Sequence, residues 1–214
     1  MVAVQVAEAI LLREQEIRIA AKLFNTTTWT GDALYTDNSA DPWDAAGADI
    51  IGQVKDMKEK VRQGVGMDPD SLLLSKVQFD NATTINTAIL ERLKYTQTAT
   101  KRALEENLAA ILGIGRVVVG TGVYNSAPEG ADMSAADIWS DDYAMVAVTA
   151  RTSQLAEPAL GRTMLWTDDS PENVTVEEYR EPQTRSGIYR VRQNTDEKVF
   201  DPYFAHLAKI DAGS

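Results

Sequence analysis

Residues 67–139 read MDPDSLLLSKVQFDNATTINTAILERLKYTQTATKRALEENLAAILGIGRVVVGTGVYNSAPEGADMSAADIW, and the order of turns, strands and helices in this stretch indicates the fold class. The turn residues Asp68 and Pro69 lead into a short apolar run that predicts a buried strand. The elements predicted after this turn are a strand at 72–74, helices near 76–93 and 101–112, and a strand at 116–119. Helices and strands are therefore mixed within one stretch of the chain.

The residues before this stretch are predicted to form a helix followed by a loop. Residues 3–23 have helical periodicity. The apolar face predicted for this helix consists of Ile10, Ile17, Ala21 and Phe24. Residues 25–41 are rich in Thr, Asp, Asn and Gly, which predicts a loop.

A second helix is predicted to begin at Asp41-Pro42, because Asp can cap a helix and Pro suits its first position. Its apolar positions recur at helical spacing and are Ala46, Ile50, Val54, Met57 and Val61. Gly64 and Gly66 are expected to end it. This is the clearest helix of the chain.

The second half of the chain is predicted to consist mainly of strands. Runs rich in β-branched and aromatic residues lie at 143–149, 163–167, 173–179 and 187–192, and residues 199–209 are candidates to close the sheet. The alternation of Tyr189 and Val191 with arginines predicts a half-buried antiparallel strand with a basic outer face. Because helices come early and strands late, an α+β fold is favoured over a repeating βαβ unit.

Composition and charge exclude several classes of function. The 214 residues contain no cysteine, so neither a disulfide nor a thiolate metal site can form. The net charge of −11 argues against a surface that grips nucleic acid by neutralising phosphates, although an acidic wall could enclose DNA without holding it. No apolar run reaches the length of a membrane span, which is about 18 residues. The apolar residues at the start of the sequence lack the features of a signal peptide.

Three groups of residues invite a chemical role, and each also has a structural explanation. Gly113 and Gly115 follow a helix and precede a strand, the reverse of a dinucleotide-binding loop, so they predict a helix C-cap and a turn. The acidic pairs Asp141-Asp142 and Asp168-Asp169 lack the spaced ligands of a calcium loop, and solvated turns are expected there. His206, the only histidine, lies among aromatic and apolar residues, which favours a packed or edge-exposed side chain over a catalytic one.

No catalytic, cofactor-binding or metal-binding residue is predicted. Ser170 and Ser186 are not in the GxSxG setting of a nucleophile elbow. The tryptophans are predicted to be core or interface anchors, and they are Trp29, Trp43, Trp139 and Trp166.

One basic cluster stands out against the acidic composition. Its members are Arg180, Arg185, Arg190 and Arg192. Nucleic-acid binding is one interpretation, but few aromatic residues are interleaved with these arginines. Because the chain is acidic overall, we expect the cluster to pair with acidic loops of a neighbouring subunit instead.

In its order of segments the chain resembles the major capsid proteins of tailed phages with the Hong Kong 97-like fold. LREQEIRIAAKLFN at 12–25 looks like the end of the long spine helix of the peripheral domain. The segments that look like the axial domain are 41–75, LKYT at 93–96, ILGIGRVVVGTGVYN at 111–125, IWSDDYAMVAV at 138–148 and GRTMLWT at 161–167. Residues 176–212 look like the returning strands of the peripheral domain.

The resemblance implies an α+β fold with a long spine helix, an antiparallel peripheral-domain sheet and a mixed α/β axial domain. It divides the chain into 1–40, the spine helix and loop of the peripheral domain, 41–166, the axial domain, and 167–214, the returning strands of the peripheral domain. The N-terminal arm and the extended loop that precede the spine helix in the family are expected to be missing here.

The resemblance also implies a structural function without enzymatic activity or cofactors. The chain would be the major capsid protein of a tailed bacteriophage and would self-assemble into an icosahedral shell around double-stranded DNA. Its partners would be copies of itself in hexamers and pentamers, with scaffold, portal or decoration proteins as further partners and no membrane. Assembly would take place in the cytoplasm of the host bacterium, and the product would be the virion capsid.

Three segments are expected to contact other subunits: the loop at 25–41, the acidic loop at 126–142 and the strand from Arg180 to Arg192. Two alternatives to the phage capsid remain open. The first is the shell of an encapsulin-like nanocompartment, which shares the fold and encloses cargo proteins. The second is an acidic hydrolase that uses carboxylates such as Asp141 and Asp168, which would require a pocket of converging carboxylates.

Overall fold

The computed structural model of the chain describes residues 2–96, 100–168, 172–183 and 185–211. Its helices are α1 (Val2–Leu23), α2 (Ile50–Val65), α3 (Lys76–Asp80), α4 (Thr87–Leu93) and α5 (Lys101–Leu112). Its strands are β1 (Tyr35–Asp37), β2 (Ser71–Ser75), β3 (Arg116–Gly120), β4 (Val123–Asn125), β5 (Ala135–Asp137), β6 (Tyr143–Ala147), β7 (Gly161–Leu165), β8 (Thr175–Glu181), β9 (Ser186–Arg192), β10 (Thr195–Val199) and β11 (Ala205–Lys209). The predicted α+β class is confirmed.

Five strands form a central sheet in the order β1-β11-β6-β2-β3. The inner pairs, β11 with β6 and β6 with β2, are antiparallel, whereas the edge strands β1 and β3 run parallel to their neighbours. β2 and β3 are parallel because three helices cross over between them, and a parallel pair requires a long connection. The strands predicted at 72–74, 116–119 and 143–149 are confirmed, and 199–209 contributes β11 to the same sheet.

Both faces of this sheet are buried, which explains why its inner strands are apolar at nearly every position. In β6, Ala144 faces a cluster formed with α2 and α5, and the next residue, Met145, faces a second cluster. Trp29 and Leu34, from the segment that follows α1, cover the second cluster. Successive side chains therefore alternate between two cores rather than between core and solvent.

The segment 25–41, predicted as a loop for subunit contacts, is largely part of the fold. Trp29 and Leu34 are buried against the sheet, and Tyr35–Asp37 pair with β11 as the edge strand β1. The prediction of a continuous loop was wrong because a strand of three residues is too short to show periodicity. The apolar side chains of this segment therefore serve the chain's own core.

α2 begins at Ile50 and not at Asp41-Pro42, as the sequence predicted. Asp49 caps the helix, while the carboxylate of Asp41 accepts a hydrogen bond from the Asp49 backbone N–H. Trp43 is fully buried, and its indole N–H donates to the Gln53 amide oxygen at 2.7 Å. The chain before α2 forms turns that place this tryptophan in the core, and sequence periodicity does not reveal that requirement.

The helix predicted over 76–93 is divided into α3, a π-helical turn at Asn81–Ile85 and α4. The division lies at Asn86, whose backbone is extended and whose side chain accepts a hydrogen bond from the Ile89 N–H. The Asn86 amide also donates to the Ala48 carbonyl at 2.7 Å. A tertiary hydrogen bond of this kind competes with helix continuation and leaves no trace in the apolar pattern.

Strands β7 to β10 form two antiparallel pairs that follow one another, and we call them the ribbon. β7 pairs with β10, β8 pairs with β9, and the Trp166 N–H donates to the Asn194 carbonyl beyond the first pair. The strands predicted at 163–167, 173–179 and 187–192 are confirmed, whereas β4, β5 and β10 were not predicted.

The central sheet joins strands from all three predicted segments of the chain. β1 lies within 1–40, β2, β3 and β6 lie within 41–166, and β11 lies within 167–214. The division of the chain into domains at these boundaries stays a prediction.

Candidate assembly surfaces

α1 and the ribbon lie side by side and bury little of their own surface. α1 packs along β9 and β10. Within the described side chains of α1 only Ala20 is buried, and within the described strands of the ribbon only Glu197 is buried. We call α1 and the ribbon together the wing, because they carry a surface that neither of the two cores uses.

An ion pair joins α1 to the ribbon. The Arg18 guanidinium donates from Nε and from one terminal nitrogen to the two carboxylate oxygens of Glu197, each at 3.1 Å. This hydrogen bonding holds the pKa of Glu197 below its ordinary value. Lys22 adds a hydrogen bond to the Glu197 carbonyl. Because Glu197 is buried, its carboxylate depends on Arg18 for charge compensation.

A second contact joins α1 to the body of the molecule. The Trp139 indole N–H donates to Glu16 at 2.8 Å, and the Trp139 ring meets the ring of Phe24 edge to face with centroids 5.1 Å apart. Trp139 is thus the anchor that its sequence position predicted. Trp29 and Trp43 are also core residues, whereas Trp166 is exposed on the ribbon.

The wing exposes large apolar side chains on both of its components. On α1, Val6 and Ile10 are 54% and 52% exposed, and one helical turn separates them. The apolar face predicted for this helix was therefore wrong at Ile10 and at Ala21, which are both exposed. The exposed apolar residues of the ribbon and its connections are Met164, Trp166, Val176, Tyr179 and Tyr189. Strand alternation places Val176 and Tyr189 on one face of the β8–β9 hairpin and Tyr179 on the other, so both faces are candidate contact surfaces.

The arginine cluster lies on the hairpin of β8 and β9 and has two parts. Glu177 in β8 pairs with Arg192 at 2.7 Å and lies 4.0 Å from Arg190, so both arginines have a partner within the hairpin. Arg180 and Arg185, near the turn, are exposed and make no ion pair with the described residues. The pairing of the cluster with a neighbouring subunit stays a prediction, and Arg180 and Arg185 are its members without an ion pair in the described part of the chain.

An acidic end of the central sheet lies where β2 and β3 finish and β6 begins. Residues 117–150 contain no Lys or Arg, and their acidic residues are Glu129, Asp132, Asp137, Asp141 and Asp142. The loop Ser126–Ser134 connects β4 to β5 at this end. Asn125 braces the loop, since its side-chain oxygen accepts hydrogen bonds from Ala127 N–H at 3.1 Å and Ser134 N–H at 2.9 Å.

The loop Ser126–Ser134 presents one apolar and two acidic side chains to solvent. Met133 is 72% exposed, and Glu129 and Asp132 are exposed beside it in the sequence. None of the three makes an ion pair or a side-chain hydrogen bond with the described residues. This is the part of the predicted contact at 126–142 that the fold leaves fully available.

Three adjoining cavities near the opposite end of the sheet form one groove, because all three are lined by Thr149 and Ala150. Their volumes are about 210, 650 and 420 Å³. The first lies between α1 and β10, the second beside Leu155 and Met164, and the third between Arg116 and Arg151. We call this continuous depression the groove.

A loop held by Glu157 forms one wall of the groove. The Glu157 carboxylate accepts hydrogen bonds from the Thr152 hydroxyl and N–H at 2.8 Å and from the Arg151 N–H at 3.0 Å. The Thr152 bonds lower the pKa of Glu157 to about 2. Arg162 donates to the Thr152 carbonyl at 2.6 Å. Leu155, which is 71% exposed, lies in this loop between Thr152 and Glu157 and lines the groove.

A hydrogen-bonded network forms the floor of the groove at its arginine end. Asp70 accepts hydrogen bonds from the Ser71 hydroxyl at 3.1 Å and from the Thr149 hydroxyl and N–H at 3.0 Å. Arg116 donates to Ser71 at 2.8 Å, and Arg151 lies 3.6 Å from Asp70. Sequence spacing gave no signal for this network or for the Glu157 loop, because their members come together only through strand pairing.

The residues singled out for chemistry have structural positions. Gly113 ends α5 with a φ of 62°, which confirms the predicted helix C-cap. Asp141 and Asp142 form the predicted turn before β6, but they are half-buried rather than solvated. The Gln78 amide donates to the Asp141 backbone carbonyl, and the Ser140 hydroxyl donates to the Asp142 carboxylate. Asp168 lies in an exposed turn beyond β7, and Asp169 and Ser170 lie outside the described residues. Among the described residues, no set of His, Asp or Glu side chains is arranged to hold a metal ion.

His206 is fully buried in β11, as the packed interpretation predicted. Its Nδ1 lies 2.9 Å from the Ala33 carbonyl, and its Nε2 lies 2.8 Å from the Thr36 hydroxyl. Because a carbonyl can only accept, Nδ1 carries the proton and Nε2 accepts from Thr36. Burial lowers the pKa of His206, so the side chain is neutral and joins the segment before β1 to the sheet.

Comparison with known proteins shows the fold. No protein-family model and no curated protein matches the chain. The chain is similar to the crystal structure of a phage-related protein from Bordetella bronchiseptica RB50, with a TM-score of 0.79 and 20% identity over 97% of this chain and 64% of that chain. It is also similar to a proposed prophage capsid protein of Escherichia coli CFT073, with a TM-score of 0.46 and 12% identity over 84% of this chain and 53% of that one.

The first of these likenesses shows a shared fold, and the second, at its TM-score, carries no argument. The chain spans less than two thirds of the Bordetella protein's length. The predicted likeness to phage proteins is therefore confirmed at the level of the fold, and the Hong Kong 97-like type stays a prediction. Among the described residues, no helix combines the length and the hydrophobicity needed to cross a bilayer.

Proposed function

We propose that the chain is a structural subunit of a phage head, the major capsid protein that its sequence resembles. The observation that carries this proposal is the fold, which the chain shares over nearly its whole length with a phage-related protein. The wing supports the same proposal. Its exposed apolar side chains contribute nothing to either core, and a partner that covered them would stabilise them.

The proposed mechanism is geometric and involves no catalytic step. Each copy offers one surface and receives a different one, so the contacts are heterologous and repeat around five-fold and six-fold rings. The wing joins neighbouring rings, and many modest contacts per subunit stabilise the closed shell. Double-stranded DNA would be enclosed without specific binding, because a net charge of −11 argues against a surface that neutralises phosphates along a duplex.

The partners of the chain in this proposal are first of all other copies of itself. Arg180 and Arg185, which lack an ion pair within the described residues, would meet carboxylates of a neighbouring copy. Scaffold, portal and decoration proteins are further partners of a phage head. The assembled product would be the virion capsid, built in the cytoplasm of the host bacterium.

Electron microscopy and sedimentation velocity of the expressed chain test this proposal. Rings or closed particles are expected, and the Ile10→Lys variant should reduce the assembled fraction by about tenfold or more, because burying an isoleucine is worth about 1.5–3 kcal/mol per contact. Tyr95→Lys is the matched control, since Tyr95 is 92% exposed and lies outside the wing.

A chain that stays monomeric at high concentration would contradict the proposal. The contents of particles formed in a bacterial host separate the two kinds of shell. Packaged DNA supports a phage head, whereas packaged protein supports a nanocompartment.

A further inference from the structure

We propose that the groove receives the loop Ser126–Ser134 of a second copy, so that subunits join head to tail along the direction of β3. This inference rests on the proposed assembly function and names the two surfaces that the contact uses. The groove is the receiving surface, and the loop braced by Asn125 is the surface that inserts into it.

The charges of the two surfaces are complementary. The cationic side chains that line the groove are Lys22, Arg116, Arg151, Arg162 and Lys198. Both carboxylates of the lining have a cationic partner, Glu197 in Arg18 and Asp70 in Arg151 at 3.6 Å. Lys22 and Arg162 are paired with Asp196 and Glu157, whereas Arg116 and Lys198 make no ion pair with the described residues. In a chain with a net charge of −11, an excess of cations in one depression is a local exception. The loop brings Glu129 and Asp132 with no cation of its own, so the encounter is electrostatically favourable.

The apolar parts of the two surfaces also correspond. The middle of the groove is lined by Leu155, Met164 and Leu165, and Leu155 is mostly exposed. Met133 is the large apolar side chain of the incoming loop, and a flexible thioether fits an irregular apolar surface well. Contact between Met133 and Leu155 would remove two of the most exposed apolar side chains from water.

The position of the two surfaces requires a second copy. The groove lies at the Arg116 end of β3, and the loop follows the Gly120 end through β4. These ends of the five-residue strand are about 13 Å apart. The lining of the groove includes no residue of the chain's own loop. Because the loop and the groove are different surfaces at opposite ends of one strand, their contact is heterologous. Such a contact closes into a ring or continues as a filament.

Disulfide trapping tests the contact directly, because the chain has no cysteine of its own. The single variants Met133→Cys and Leu155→Cys are mixed in equal amounts under mild oxidation. A covalent dimer of the two variants is expected. Val77→Cys replaces Leu155→Cys in the matched control, since Val77 is exposed at the start of α3, beyond the acidic end of β2. The control mixture should stay uncrosslinked.

Charge reversal tests the electrostatic part of the contact. The groove variant Arg151→Glu/Lys198→Glu and the loop variant Glu129→Lys/Asp132→Lys should each lower self-association by about tenfold or more, because like charges then face each other. An equimolar mixture of the two variants should recover association. Lys55→Glu/Lys94→Glu changes the net charge as the groove variant does, at exposed positions outside both surfaces, and should associate like the unmodified chain.

Microscopy of the oxidised samples separates this inference from the proposed function. Particles with the Met133–Leu155 crosslink support both, and particles without the crosslink and without an effect of charge reversal overturn the groove contact alone. Crosslinked dimers or chains that never form rings or shells support the contact and contradict the capsid function. Monomers without any crosslink overturn both.

Discussion

The central sheet and the wing use similar apolar residues, but they bury them to different extents. β6 is buried at four of its five positions, whereas β8 and β9 have no fully buried residue. The sheet is covered on both faces by side chains of the same chain, while the ribbon is covered by α1 on one side. A two-stranded ribbon is marginally stable by itself, so the wing depends on its contacts with α1 and, in the proposed function, on neighbouring copies.

This difference separates residues that hold the fold from residues that are available to other molecules. A buried residue of the sheet packs in one of the two cores and cannot contact another molecule. An exposed apolar residue of the wing can be changed without opening a cavity in the monomer. Mutations in the two regions should therefore differ both in how strongly they destabilise the monomer and in which property they change.

The largest expected loss of stability comes from shortening a buried side chain in the sheet. Leu207→Ala removes a fully buried side chain from the second core and should lower the free energy of unfolding by about 2–5 kcal/mol, because a cavity remains. Leu155→Ala, at an exposed position, should change it by less than about 0.5 kcal/mol. Urea denaturation of both variants measures the difference. Equal losses would show that the two regions are not distinct in the way that their burial implies.

The second effect concerns the link between the wing and the body. Arg18→Met leaves the buried Glu197 carboxylate without its partner and should lower the free energy of unfolding by about 1–3 kcal/mol. This loss is smaller than for a fully buried ion pair, because Arg18 is partly exposed. Hydrogen exchange should show β10 losing protection while β6 keeps it. Adding Glu197→Gln should restore part of the loss, because the unpaired charge is then gone. Uniform loss of protection would mean that the wing and the sheet unfold together.

A pH effect comes next, and it acts where the segment before β1 meets the sheet. Burial holds the pKa of His206 below its ordinary value of 6.5, so the unfolded chain binds a proton that the folded chain does not. Stability should therefore be fully present above about pH 6.5 and should fall as the pH drops toward the lowered pKa of the folded state. His206→Gln should flatten this slope between pH 7.5 and 5.5.

The pH dependence of stability that comes from His206 can be separated from the pH dependence that comes from Glu197 in the wing. Hydrogen bonding with Arg18 holds the pKa of Glu197 below its ordinary 4.5, so its contribution is present above pH 4.5 and is lost as the pH falls below it. Thermal denaturation over both pH ranges resolves the two windows. If His206→Gln keeps the full slope above pH 5.5, another group is responsible.

The smallest effect is expected from two glycines that have open space around them. Gly66 caps α2 with a φ of 71°, so Gly66→Ala should cost about 1 kcal/mol through backbone strain. Gly187 in β9 has no positive φ and no atom within 4 Å of an added Cβ. Gly187→Ala should therefore be neutral or stabilise by up to about 1 kcal/mol. Chemical denaturation of both variants measures this contrast, and a loss at Gly187 equal to that at Gly66 would contradict it.

Sequence reasoning succeeded where local chemistry alone decides the structure. The apolar run Leu72–Leu74, the helix C-cap at Gly113 and the antiparallel pairing of the Tyr189 strand were all predicted. It failed where a distant partner decides. The Asp41-Pro42 signal marked a turn that buries Trp43 and not the start of a helix. The helix predicted over 76–93 is interrupted at Asn86, whose side chain hydrogen-bonds to Ala48.

The candidate surfaces divide in the same way. The loop at 126–142 was recognised as acidic from its Asp and Glu residues, which the sequence shows directly. The groove was not, because Arg116, Arg151 and Lys198 lie far apart in the sequence and meet through strand pairing. The arginine cluster was recognised as a set, but only the hairpin register shows that Arg190 and Arg192 share Glu177 as an ion-pair partner.

By itself the sequence determined the helical and strand tendencies, the excess of negative charge and the absence of cysteine chemistry. These properties depend on residue type and on near neighbours along the chain. Only the tertiary structure decided which apolar residues are left outside, such as Ile10 and Trp166, and which charges have no ion pair among the described residues, such as Arg180. Burial and charge pairing are relations between distant residues, and they exist only once the chain has folded.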